Sequence, residues 1–175
     1  MTILTLGAVY PRMKRTLLAV AIVALAVAFA STRPAVGHAT AAVAVPKCPS
    51  YAPKFESLNL ASPHFVRPNA QRVRLCRYYK NTWAYGQKLW RQRLIQDGAT
   101  ISVLTHAFNR LKEPPRGIFC VKDDGSEMLL VFGYAGAKPE RVVVKLSGCR
   151  FATNGRATRS TTAGLHKRLL VLARP

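Results

Sequence analysis

Acidic residues are scarce in this chain. Seven aspartates and glutamates stand against 27 lysines and arginines, a formal charge of +20 over 175 residues. Such a balance argues for association with anions and says nothing about fold. Other absences narrow the chemistry. No C-x-x-C pair occurs and no histidine lies close in sequence to a cysteine, so zinc ligation has little support. No G-x-S-x-G is present, and no Ser-His or Cys-His arrangement has a local signature. Asp123, Asp124 and Glu127 cluster hard oxygen ligands, but without the D-x-D-x-D-G spacing of a calcium loop they read as turn residues. The remaining carboxylates are Glu56, Asp97, Glu113 and Glu140, and no two are marked as a glycosidase pair. His64, His106 and His166 are spread through the chain, and His106 reads as a helix-surface residue. The sequence therefore assigns no catalytic residue, no metal and no cofactor. It contains no internal repeat.

Long apolar runs are also lacking, with one short exception near the start. Residues 16–30 are uncharged and apolar, preceded by Met13-Lys14-Arg15 and followed by a small-x-small site at Gly37-His38-Ala39. A positive segment, an apolar segment and a small-residue site make a secretory signal peptide over residues 1–39, with Met13 an alternative start. The run of 15 residues falls short of the ~20 a helix needs to cross a bilayer, so cleavage is favoured over an uncleaved anchor. The expectation is a secreted protein, with membrane anchoring through the signal as the alternative. Cleavage after Ala39 leaves residues 40–175 with 23 basic and 7 acidic groups, a charge of +16. Arginine-rich coding in a GC-rich organism would explain the same excess without any partner.

Cys48, Cys76, Cys120 and Cys149 all follow the signal. An even number in an exported chain reads as two disulfides, with three connectivities open. The preferred one is Cys48–Cys76 with Cys120–Cys149, which closes two loops of about 30 residues.

The domain divides into a Pro-rich irregular arm, 40–71, and a single α+β domain, 72–175. Pro46, Pro49, Pro53, Pro63 and Pro68 exclude helix and most strand pairing from the arm. Residues 72–79 alternate Val73 and Leu75 with basic neighbours; 88–95 fit a second strand or the start of a helix, and the strand is favoured because Asp97-Gly98 then ends it. Asp97 suits the N-cap of a helix over 98–112 whose apolar face is Ile101, Leu104, Ala107, Phe108 and Leu111. Pro114-Pro115 stops it. Three strands are expected at 117–122, 127–134 and 141–147, with Asp123-Asp124-Gly125-Ser126 as a hairpin turn and one face of 141–147 wet. Asn154-Gly155 is a further turn, and 163–173 a short terminal helix. The fold class that follows is α+β: a small antiparallel sheet of hairpins packed on one central helix.

The basic residues of the first two strands are interleaved with aromatics. Arg72, Arg74, Arg77 and Lys80 belong to one, Lys88, Arg91 and Arg93 to the other, with Tyr78, Tyr79, Trp83, Tyr85 and Trp90 among them. A hairpin of the two would present guanidinium groups beside rings, a surface able to stack on sugars or bases and pair with phosphate. Arg74, Arg77, Arg91 and Arg93 are the candidate anion-binding residues.

CRYY at 76–79, a helix opened by Asp97 and ending in AFNRL, CVKDDGSEMLLVFGY at 120–134 and VVVKLSGCRFATNG at 142–155 follow in that order. In this the chain resembles a group of small exported actinobacterial four-cysteine proteins. The resemblance covers roughly residues 73–155, and its most specific piece is Gly148-Cys149 followed by Thr153-Asn154-Gly155. Those relatives often have Pro where Gly98 stands, which bears on where the helix starts. The resemblance implies export and this order of elements, and it carries no catalytic residues. The expected role is a non-catalytic binding or accessory module at the cell envelope, a monomer whose partner is an anionic envelope polymer or a secreted protein. Export argues against nucleic acid. The alternatives are a small secreted hydrolase with a site assembled from distant residues, or an inhibitor of a secreted enzyme. A deep pocket holding His106 or His166 beside a carboxylate would favour the hydrolase.

Overall fold

In the computed structural model, residues 43–54, 63–80 and 87–174 are described, and they belong to a unit that spans Ala39–Pro175. The expected signal peptide, Glu56, Trp83 and Tyr85 lie outside the described residues. The elements are β1 (Arg72–Lys80), β2 (Gln87–Ile95), α1 (Gly98–Asn109), β3 (Glu127–Tyr134), β4 (Ala137–Lys145), β5 (Phe151–Thr153), β6 (Thr158–Ser160) and α2 (Ala163–Leu172). The strands form a six-stranded antiparallel sheet in the order β2-β1-β3-β4-β5-β6. Since β2 and β3 both run antiparallel to β1, they run the same way as each other, and their connection must cross the sheet. Helix α1 supplies that crossover.

Asp97 caps α1 as expected, its carboxylate accepting from the amides of Ala99 and Thr100. The helix ends at Asn109, three residues before the expected end. Glu113 precedes a proline and is driven out of the helical region, and the Pro114 ring would clash with the carbonyl of Arg110. Arg110 is the C-cap, and His106 is the basic residue of the last turn. Helix α2 opens at Thr162, whose hydroxyl accepts from the Leu165 amide at 3.2 Å.

The expected packing of the sheet on α1 is found in part, since the terminal helix shares that face, and the expectation of a one-sided sheet needs correction. Ile101, Leu104 and Phe108 of α1 and Leu165 and Leu169 of α2 join one cluster with Val73, Leu75, Leu130, Phe132, Val142 and Val144, so two helices cover the first sheet face. The second face is covered as well. Cys76, Tyr78, Leu129, Val131 and Val143 pack there against Val45, Cys48 and Ala52 of the arm. This explains why EMLLVFGY of β3 is buried at every residue: a central strand covered on both faces has no polar side. The arm is held by the Cys48–Cys76 disulfide, by the Tyr78 hydroxyl donating to the Pro49 carbonyl at 3.0 Å, and by backbone bonds to the edge of β2. Gly133 permits the close approach, since a Cβ there would stand 2.5 Å from Val45 Cγ2 and 2.9 Å from Val43 Cγ1.

Residues 117–122, expected as a strand, are irregular. Gly117 takes φ +69°, and Cys120 is bonded to Cys149, so the segment leans on the turn after β4 instead of joining a ladder. Asp123 to Ser126 is consequently no hairpin turn. The β3–β4 turn is Ala135-Gly136, with Gly136 at φ +64°. Asn154 does make a turn, its Oδ1 accepting from the amides of Arg156 and Ala157, and it joins two strands, β5 and β6, too short to be read from the sequence. The two disulfides are Cys48–Cys76 and Cys120–Cys149, the preferred connectivity, with Cα separations of 5.7 and 4.8 Å. Disulfides of this kind belong to an oxidising, non-cytoplasmic compartment. Among the described residues no helix is long and apolar enough to cross a membrane.

A candidate anion-binding face

Strands β1 and β2 pair directly at Arg77 and Arg91, and the next pair is Tyr78 with Leu89. Trp90 is thus the extra residue of a β-bulge, without a cross-strand partner, and a bulge re-aims its side chain. The indole becomes the centre of a small cluster. The Arg91 guanidinium sits 4.3 Å from the Trp90 ring centroid and that of Arg77 sits 4.7 Å from it. Tyr79 meets Trp90 edge-on at 4.8 Å, and its hydroxyl accepts from Arg77 Nη2 at 3.2 Å. Tyr79 is 41% exposed and Trp90 47%, so the cluster faces solvent.

Two like charges directly opposite each other on neighbouring strands repel. Each arginine–ring contact returns about 0.5–1 kcal/mol at an exposed site. Among the described residues no carboxylate pairs with either arginine; the ion pairs are Arg67–Glu140, Lys145–Glu127 and Arg159–Glu113. The Nε atoms of Arg74 and Arg77 are buried without a hydrogen-bond partner.

The structure does not bring the four candidate arginines together. Arg77 and Arg91 meet on Trp90. Arg74 alternates with Val73 and Leu75 and so shares the opposite face with Cys76. Arg93 lies on the side of Arg91, but its Nη1 donates to the carbonyls of Leu172 and Arg174 at 3.1 and 3.3 Å. It therefore closes the C-terminus of α2, where a cation is favoured. Arg72 is likewise engaged, donating to the Val43 carbonyl. Lys88 is exposed and bridged to Tyr51 through the backbone.

A concavity of about 570 Å³ lies between α1 and residues 64–70. His64 and His106 line it together with Ser102, Thr105 and Asn109, and no carboxylate is among its lining residues. The Asn109 side chain bonds the Val66 backbone in both directions, at 2.9 and 2.8 Å, and so holds the two walls together. Thr105 Oγ1 is buried without a partner. His166 is elsewhere, its Nε2 2.8 Å from the Leu146 carbonyl. The hydrolase criterion is met only in part: His106 stands in a cleft, and the carboxylate that would orient it is missing from the lining. Sequence reading missed this cleft, although Ser102, Thr105, His106 and Asn109 fall at helical spacing on one stripe of α1.

Of the three clustered carboxylates, Glu127 is engaged apart from Asp123 and Asp124, which share Ser147. Glu127 pairs with Lys145. Ser147 Oγ lies within hydrogen-bond distance of Asp123 Oδ1 and Asp124 Oδ1 and accepts from the Asp124 amide. Burial pushes the Asp123 carboxyl up, but bonds from Ser147 and the Gly125 amide and the Lys145 charge outweigh it, and it ends below the usual range. Asp124 is also lowered, chiefly by the Ser147 and Ser126 bonds. Burial, then the Glu127 charge, pushes the Tyr78 phenol up to about 12.

Compared with family models, curated proteins and solved structures, the chain matches none.

Proposed function

We infer that the chain is a secreted, non-catalytic binding or accessory module of the cell envelope, delivered by cleavage of residues 1–39, and that its Arg77–Trp90–Arg91 face holds an anionic envelope polymer. One observation carries this reading. Two guanidiniums are set opposite each other across a strand pair, on a solvent-facing indole, with no carboxylate of the described residues between them. An anion bridging the two would relieve their repulsion, and the rings would stack on a sugar of the same polymer. Arginine suits this because its planar fork binds phosphate or carboxylate while its face rests on a ring. The formal charge of the chain supplies long-range attraction but no site.

The test compares Arg77→Gln/Arg91→Gln with Arg156→Gln/Arg168→Gln, which removes the same charge from elsewhere. Retention on heparin and on the organism's own wall polymer should fall at least tenfold for the first pair and about twofold for the second. Binding should weaken as salt rises, because each neutralised anion releases counterions. Equal losses for the two pairs would mean that the basicity is diffuse and that no site exists at Trp90.

A further inference from the structure

The Cys120–Cys149 disulfide holds an apolar tip in solvent. Phe119 is 98% exposed, Val121 75% and Ile118 45%, three side chains on either side of Cys120. The bond pins Cys120 to the turn after β4, and nothing in the sheet or helices covers its neighbours. Contiguous exposed apolar side chains mark a contact surface. Three cations stand near the tip against two carboxylates, within a chain of formal charge +20. Arg116 and Lys122 flank it in sequence and are exposed, and exposed Arg150 follows Cys149. Asp123 and Asp124, the next residues along, are turned back onto Ser147 and the amides of Gly125 and Ser126. A phenylalanine standing clear of the fold, with exposed Arg116 and Lys122 on either side in sequence and Arg150 beside the disulfide, matches a medium that is apolar inside and anionic at its surface.

We propose that the 116–122 loop is a membrane-contact site that inserts Phe119 and Val121 into the interfacial layer of an anionic phospholipid bilayer, with Arg116, Lys122 and Arg150 on the headgroup phosphates. The disulfide is what makes the loop fit for this, since it presents the apolar side chains without ordering cost at the moment of contact. The site shares no residue with the Arg77–Trp90–Arg91 face, so either assignment stands without the other.

The test places an indole at the tip and reads its depth. Phe119→Trp and, as a reference on the outer surface of α1, Val103→Trp are made in the chain as its host delivers it, and emission is taken as the difference from the parent protein. Vesicles of phosphatidylglycerol and phosphatidylcholine carry brominated acyl chains. In Phe119→Trp the added emission should shift to the blue and be quenched at least twofold, whereas in Val103→Trp it should not. Adding Arg116→Gln, Lys122→Gln and Arg150→Gln should raise the lipid concentration needed at least fivefold. Adding Arg77→Gln/Arg91→Gln should leave the quenching of bound protein unchanged. Equal quenching at 119 and 103, equal binding to purely zwitterionic vesicles, or loss of quenching with the Arg77/Arg91 pair would each overturn the proposal. A blue shift that grows with protein concentration without vesicles would assign the tip to a second copy of the chain, with the same consequence.

Discussion

Ser147 shows how one side chain decides the state of two others. Its hydroxyl lies within hydrogen-bond distance of both Asp123 and Asp124 and has one proton to share between them, and both carboxyls lie below their ordinary value. A carboxyl depressed in the folded state stabilises the fold above its unfolded pKa of about 4, and that contribution is lost as pH falls through the lower folded value. Ser147→Ala should therefore lower stability at pH 7 by about 1 kcal/mol. It should also flatten the decline between about pH 5 and pH 2, because less remains to be lost on protonation. Denaturant melts across that range check this; curves for parent and variant that stay parallel would show that Ser147 does not hold the pair. From the sequence these aspartates looked like the turn of a hairpin, since D-D-G-S is turn chemistry. The turn chemistry is real, with Gly125 at φ +76°, but the partner is 23 residues away, and spacing alone does not reveal it.

Among the elements, the arm and β3 define each other. The arm was legible as irregular from its prolines and as tethered from Cys48. Its role as the cover of a whole sheet face was not, because Val43, Val45 and Ala52 form no periodic pattern. The clue lay in β3, where MLLVF is apolar at consecutive residues, the mark of a strand buried on both sides. Gly133→Ala tests the fit. Its methyl would meet two β-branched side chains with little rotamer freedom, so the arm must shift, at a cost of about 1–3 kcal/mol. Gly133→Ala/Val45→Ala should recover part of that loss in thermal melts. Wild-type stability for Gly133→Ala would show that the arm does not pack on β3.

At the scale of the molecule the two disulfides look alike and should behave differently. Their sequence separations are 28 and 29, so each closes a loop worth about 3 kcal/mol in the chain-entropy model. Cys48–Cys76 also fastens the arm over Leu129, Val131 and Val143, whereas Cys120–Cys149 fastens an exposed loop. Cys48→Ala/Cys76→Ala should therefore cost more stability than Cys120→Ala/Cys149→Ala, by about 1–2 kcal/mol for the apolar surface uncovered. The parent should titrate no thiol when denatured without reductant. A larger loss from the second pair would contradict this division of roles.

Composition and local pattern pointed to the α+β class, the cap at Asp97, both helices, the first two strands and β3, each of which depends on periodicity or on chemistry within a few residues. The cysteine count implied two disulfides, but the choice among three connectivities spans 28 and 29 residues and was decided by the fold. Only the tertiary structure decided which side of the sheet each arginine serves. Alternation separates Arg74 from Arg77, but a bulge at Trp90, invisible to period-two counting, brings Arg77 and Arg91 onto one ring. The carbonyls of α2, almost 80 residues on, claim Arg93. Residues 117–122 failed as a strand for the same reason. Their alternation of Ile118, Cys120 and Lys122 is compatible with one, but a strand needs a neighbour with free hydrogen-bonding groups, and the bond to Cys149 puts the segment beside a turn. Local propensity proposes an element; the supply of partners in three dimensions decides whether it forms.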